Sequence, residues 1–254
     1  MIELKNLSCS YGDTVALNDV SFSVPDGQIF GYLGPNGAGK TSTVRLLTGM
    51  MTPASGTASV AGFDVIASPI EVKRRIGYVP ESGAVYQSLS PLEYLQFVGR
   101  IYGMEEDMLI ERIEELGAFF ELTSVLYERM TTFSKGMKQK VVIAAAILHN
   151  PDVLFLDEPL NGLDVNAALI LKKLLQSLAS QGKTIFYCSH ILEVVETLCD
   201  RVAILNKGRL VAEGAIGELK EMTAQASLVD VFSHLTADPD QADLTQALAK
   251  TLSA

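Results

Sequence analysis

Residues Gly34 to Thr41, GPNGAGKT, constrain this chain more than any other stretch. They match the pattern GxxxxGK[ST], and they sit between a β-rich apolar run, Gln28 to Leu33, and a helical pattern from Lys40 to Gly49. Strand, glycine-rich turn and helix in that order form the context in which the pattern holds phosphate. Gly37 and Gly39 let successive backbone N–H groups converge on one anion, and the helix that starts near Lys40 adds the positive end of its dipole. Lys40 is expected to reach the β- and γ-phosphate oxygens of a nucleotide and Thr41 to offer its hydroxyl to Mg²⁺, with Gly34, Pro35, Asn36, Ala38 and Ser42 completing the loop.

Such a loop belongs in an α/β domain. Ile76 to Val79, Val153 to Asp157, Thr184 to Cys188 and Val202 to Leu205 read as short buried strands with helical segments between them, which predicts a mainly parallel core sheet covered on both faces. Ahead of the loop, Ile2 to Leu7 and Val20 to Val24 are separated by the turns Tyr11-Gly12-Asp13 and Pro25-Asp26-Gly27. They predict an antiparallel β subdomain whose short strands flank the more buried strand at Gln28 to Leu33.

Between Ser90 and Tyr127 the strand patterns vanish. Ser90 followed by Pro91 is a helix start, and Leu109, Ile113, Leu116 and Phe120 recur at helical spacing, so an α-helical subdomain of about residues 82–140 is inserted in the core. Its acidic residues, Glu105, Glu106, Asp107, Glu111, Glu114, Glu115 and Glu121, read as a solvated face. The main domain is expected over residues 1–220. Residues 221–254, with five acidic residues against Lys250 and scattered apolar positions, predict a helical appendage to which the sequence assigns no role.

A formal net charge of −10 gives no general attraction to a phosphate backbone and argues against nucleic acid as a partner. An anionic ligand must instead be held by short-range devices, which the Lys40 loop provides. The longest apolar run, Val141 to Leu148, is far short of the roughly 20 residues that span a bilayer, and the N-terminus lacks a basic-then-apolar leader, so a soluble cytoplasmic chain is expected. Cys9, Cys188 and Cys199 show no CxxC spacing and predict reduced thiols.

Val153-Leu-Phe-Leu-Asp157-Glu158 is a buried strand ending in two carboxylates, a Walker B pattern. Asp157 is placed to support Mg²⁺ through its water shell. Glu158 is then free to act as general base or to orient the water that attacks the γ-phosphate. These residues alone suit a GTPase, a recombinase-like ATPase or a small-molecule kinase. Guanine selectivity usually needs an NKxD box, and the nearest sequence, Asn206-Lys-Gly-Arg209, ends in the wrong charge.

Phe133-Ser134-Lys135-Gly136-Met137, followed by Lys138-Gln139-Lys140, leads into a helix just upstream of the Asp157 strand. On that stretch the chain resembles the ABC ATPase family, whose signature motif occupies this place. The resemblance continues with Tyr11 at the aromatic A-loop, Asn161-Gly-Leu-Asp164 at the D-loop and His190 at the switch histidine, from about Ile2 to Glu218. It implies an ATPase that uses ATP and Mg²⁺ and pairs head to tail with a second cassette, so that Ser134 and the Gly136 amide meet the γ-phosphate held by the other subunit's Lys40. Tyr11 would stack on adenine, Asp164 would sit at the dimer interface near the nucleotide, and His190 would bond the γ-phosphate. Lys40, Glu158 and His190 are thus the expected catalytic set.

Two departures from the family pattern stand out. The signature's second glycine and terminal glutamine are Lys135 and Met137, and the glutamine that touches Mg²⁺ and the attacking water is replaced by Glu81 after Val79-Pro80. A carboxylate can bind the metal but brings a negative charge and donates no hydrogen bond when ionised. Glu81 therefore joins Thr41 and Asp157 as an expected metal donor. Together the variants look like those of exporter cassettes, which imply separate transmembrane permease subunits and a place on the inner face of the membrane. The rival reading is a non-transport ABC ATPase. His149 and His234 lack comparable context and read as surface or structural residues.

Overall fold

The computed structural model describes residues 1–236. The chain runs β1 (Ile2–Tyr11), β2 (Thr14–Val24), β3 (Ile29–Leu33), α1 (Lys40–Leu47), β4 (Ser55–Val60), β5 (Phe63–Asp64), α2 (Pro69–Arg75), β6 (Ile76–Val79), α3 (Pro91–Ile101) and α4 (Glu106–Phe119). After two short 3-10 turns it continues as α5 (Lys135–Ile147), β7 (Val153–Asp157), α6 (Val165–Ser180), β8 (Thr184–Cys188), α7 (Leu192–Leu198), β9 (Arg201–Asn206), β10 (Arg209–Ala215), α8 (Ile216–Thr223) and α9 (Leu228–Thr236).

The central sheet has the order β10-β9-β3-β8-β7-β6, parallel except for β10, and its inner strands β3, β8 and β7 are buried on both faces. A second, antiparallel sheet has the order β2-β1-β4-β5. This corrects the expectation that the first two strands flank β3. All five residues of β3 are buried, which fits a central strand paired at both edges, with β9 and β8, and covered on its two faces by the two cores. β1 and β2 alternate buried and solvated positions and pair with each other instead. Strands β4, β5 and β10 escaped the sequence reading because their small and polar residues carry little apolar periodicity.

The pleat of the central sheet sorts its side chains between two cores. Phe30 and Tyr32 of β3, Phe155 of β7 and Phe186 of β8 face the antiparallel sheet and α1. Together with Phe22 of β2 they form an aromatic cluster whose ring centroids lie 5.0 to 6.2 Å apart. Each such pair adds about 0.5–1.5 kcal/mol beyond its area burial. Leu33, Leu156 and Tyr187, on the opposite pleats, pack against the helices.

Ser90 caps α3 as the sequence predicts: its Oγ accepts from the Glu93 amide at 3.2 Å, and its own amide donates to Glu93 Oε2 at 2.8 Å. Leu109 and Ile113 bury one face of α4, while the seven acidic residues of this segment are exposed. His149 is structural: Nε2 lies 3.0 Å from the Ile76 carbonyl and its ring stacks on Tyr102. His234 is exposed on α9. All three cysteines are buried and free. Among the described residues no helix is long and apolar enough to cross a membrane. Of the expected C-terminal appendage, Asp238, Asp240, Asp243 and Lys250 lie outside the described residues.

Candidate active site

The loop after β3 is shaped by steric exclusion. Gly39, with φ 111°, opens α1, and a Cβ there would lie 2.5 Å from the Ala16 carbonyl and 2.8 Å from Leu17 Cδ2. Only glycine fits a left-handed conformation this close to another strand. No side chain caps α1, so its first amides stay available to an anion. Lys40 folds back over the loop, with Nζ donating to the carbonyls of Gly34 at 2.7 Å and Pro35 at 3.2 Å. Thr41 Oγ1 donates to Asp157 Oδ2 at 3.3 Å, and Ser42 Oγ lies 3.5 Å from the Tyr11 hydroxyl.

The opposite wall comes from the ends of two adjacent parallel strands. Asp157 pairs in register with Cys188, so the residues that follow, Glu158 on one strand and Ser189 and His190 on the other, emerge side by side. Glu158 has φ 50° and its amide donates to the Cys188 carbonyl at 2.9 Å. A left-handed conformation at a non-glycine residue costs about 1 kcal/mol or more, which marks this turn as held by its surroundings. Both carboxylate oxygens are engaged: Oε1 accepts from His190 Nδ1 at 2.7 Å and Oε2 from Ser189 Oγ at 3.0 Å. Ser189 also accepts from the Ile191 amide, fixing the turn that presents His190.

Burial, and then the charge of Glu81, push the Asp157 carboxyl up to about 6, against the opposing pull of Thr41 and Lys40. Asp157 is 2 % exposed. A buried carboxylate beside two further carboxylates is a site that a cation relieves. Hard oxygen donors from Thr41, Asp157 and Glu81 border one cleft, a donor set that suits Mg²⁺.

That cleft, of about 800 Å³, is lined by Tyr11, Gly34, Pro35, Asn36, Gly37, Gly39, Lys40, Thr41, Ser42, Glu81, Asp157, Glu158 and His190. Its size is within the range of small-molecule sites. Ala38 is buried behind the loop, its amide donating to the Pro35 carbonyl at 3.1 Å. Ser134, Gly136 and Asp164 are not among the residues lining the cleft. Ser134 caps α5 and Asp164 caps α6, and a Cβ on Gly136 would meet the Gly162 carbonyl at 2.5 Å, so signature loop and D-loop touch. The buried Gln139 joins them, with Nε2 donating to the Pro159 carbonyl at 3.0 Å.

The sequence reading missed Ser189, although it directly precedes His190. It also missed Phe232, which lines the cleft from α9. The signal for Phe232 was the spacing of Leu228, Val231, Phe232 and Leu235, which is helical rather than scattered.

Comparison with known proteins places the chain in a family. The ABC transporter family model matches residues 17–161. The ABC transporter ATP-binding protein NatA of Bacillus subtilis is 38% identical over 91% of this chain and 96% of its own length. The Nod factor export ATP-binding protein I of Cupriavidus metallidurans is 36% identical over 91% of this chain and 77% of its own length. A solved structure described as the ATP binding subunit of an ABC transporter superposes with a TM-score of 0.88 at 34% identity, covering 92% of this chain and 99% of the other. With a family model matching more than half of the chain and relatives aligned over nine-tenths of it, the chain belongs to the ABC transporter family as an ATP-binding cassette and an ATPase.

Proposed function

We propose that this chain hydrolyses ATP as the motor subunit of an exporter, working as one of two cassettes beneath separate transmembrane permease subunits on the inner face of the membrane. The observation that carries the reading is the convergence, in one cleft, of the Lys40 loop with a Glu158 carboxylate held at both oxygens. The named relatives include an export ATP-binding protein, which supports the direction of transport. Residues 1–220 form the cassette in this reading, with the helical subdomain of about 82–140 as its lever.

ATP enters with its adenine against Tyr11 and its phosphates in the loop from Gly34 to Ser42. Lys40 leaves the Gly34 and Pro35 carbonyls and binds the β- and γ-phosphate oxygens. When bound with the nucleotide, Mg²⁺ supplies charge neutralisation for those oxygens, with Thr41, Asp157 and Glu81 as its protein-side donors. Glu158 orients the attacking water and accepts its proton. His190 donates from Nδ1 to Glu158 and, in the form that carries both ring protons, from Nε2 to the γ-phosphate. Ser134 and the Gly136 amide complete the site of a second cassette, and Asp164 borders that interface. Hydrolysis then removes contacts that favour the closed pair, and the pair reopens.

Glu158→Gln tests the assignment. Nucleotide binding is expected to survive, hydrolysis to fall roughly 10²- to 10⁴-fold, and an ATP-stabilised dimer to accumulate in size-exclusion chromatography. Wild-type turnover in this variant would remove Glu158 from the mechanism. Co-purification from native membranes tests transport: a stoichiometric multi-span protein is expected, and only soluble partners would point to a non-transport ATPase.

A further inference from the structure

Helix α9 is attached to the element that carries the switch histidine. α7 begins two residues after His190, and α9 packs on α7 and α8. A hydrogen bond and a buried apolar pair make the attachment specific. Glu196 of α7 accepts from the Leu228 amide at 3.2 Å, and the same carboxylate pairs with Lys220 of α8. Leu228 and Val231 are fully buried in the helical-side core. Ser227 accepts from the Asp230 amide at 3.2 Å, starting the helix. The next residue on that face, Phe232, is partly buried against the same core and lines the nucleotide cleft together with His190 and Glu158.

The His190 side chain is 62 % exposed and is held by a single hydrogen bond, to Glu158. An aromatic ring anchored in the core borders the same cleft into which this loosely held imidazole projects. We propose that Phe232 is a positioning residue of the ATPase site, through which α9 both steadies His190 and senses the nucleotide. The inference rests on the cleft being the ATP site, and it gives the segment after the cassette a role in turnover.

The chain contains no tryptophan, so Phe232→Trp places a single indole at the cleft. Its emission, excited selectively, is expected to shift on addition of ATP and Mg²⁺, with half-saturation equal to that of nucleotide binding measured by equilibrium dialysis. In Phe232→Ala, kcat is expected to fall by up to about 10²-fold, the scale of a misplaced catalytic group, with the KM for ATP within about twofold. Phe232→Leu, which keeps an apolar wall, is expected to recover most of that loss. Silent emission in a variant that binds ATP normally would overturn the proposal, as would an unchanged kcat in folded Phe232→Ala. Failure of the wild-type chain to bind ATP at all would instead overturn the reading of the cleft itself.

Discussion

Two helix starts in this molecule are built in opposite ways. α1 opens on Gly39 with no capping side chain, whereas α5 opens on Ser134, whose Oγ accepts from the Met137 amide at 3.2 Å. An uncapped start leaves backbone donors for an external anion, and the cleft at α1 is lined by the groups that a triphosphate needs. A capped start is already satisfied within its own chain. Ser134 is therefore stable without ligand and can offer only the remaining capacity of its hydroxyl to one. Under the proposed function, the contrast lets one chain carry both halves of a composite site at separate places: one half open and receptive, the other closed and poised for a second copy.

Breaking the open half has the larger expected effect. Lys40→Ala removes the charge that the loop aims at the phosphates, and kcat/KM for ATP is expected to fall roughly 10²- to 10³-fold, in the range of one lost electrostatic donor. Isolated chains should lose ATP affinity as well, which equilibrium dialysis would detect. A variant with intact affinity would mean that the backbone amides alone hold the nucleotide.

Ser134→Ala acts on the closed half and separates two roles. Loss of the N-cap is expected to cost about 1 kcal/mol and to lower Tm by roughly 2–4 °C. ATP affinity of the isolated chain should not change, because Ser134 is not among the residues lining the cleft. ATP-dependent dimer formation and turnover should both weaken. A drop in monomer affinity equal to that of Lys40→Ala would refute the division between the two helix starts.

A third test sharpens the same comparison through charge, and on stability it is as small as the loss of the Ser134 cap. Asp157 is the buried anion of the open half, and its carboxyl is pushed up from 3.8 to about 6. Between those values the folded chain binds more protons than the unfolded chain. Stability without nucleotide and Mg²⁺ is therefore fullest below the lower value and declines as pH rises through the upper one. Asp157→Asn should remove this decline and raise Tm near pH 7 by roughly 2–4 °C, while hydrolysis is lost. A melting curve series from pH 5 to 7.5 on both proteins would check the sign. Equal slopes would show that Asp157 carries no net cost.

Much of this arrangement was legible before any coordinates. The Gly34 to Thr41 loop, the two carboxylates at the end of β7 and the helix start at Ser90 are local patterns, each dictated by the backbone and side-chain chemistry of neighbouring residues. The family resemblance rests on the further stretch Phe133 to Met137, with Tyr11, Asn161 to Asp164 and His190 in order along the chain. Glu81 was visible as a departure, because a carboxylate where an amide is expected is a change of type at a known place.

What the sequence left open depended on distance in space. That β3 pairs with β8 and β9 rather than with β1 and β2 depends on strands about 150 residues further along the chain, which no local pattern states. The grip of Ser189 and His190 on Glu158 exists because two strands lie in register across 31 and 32 residues of sequence. Phe232 reaches the cleft only through the docking of α9 on α7. Chain-local chemistry is written in neighbouring residues and could be read there, whereas register, layer order and the packing of the last helix are set by the burial of surfaces that meet only once the chain has folded.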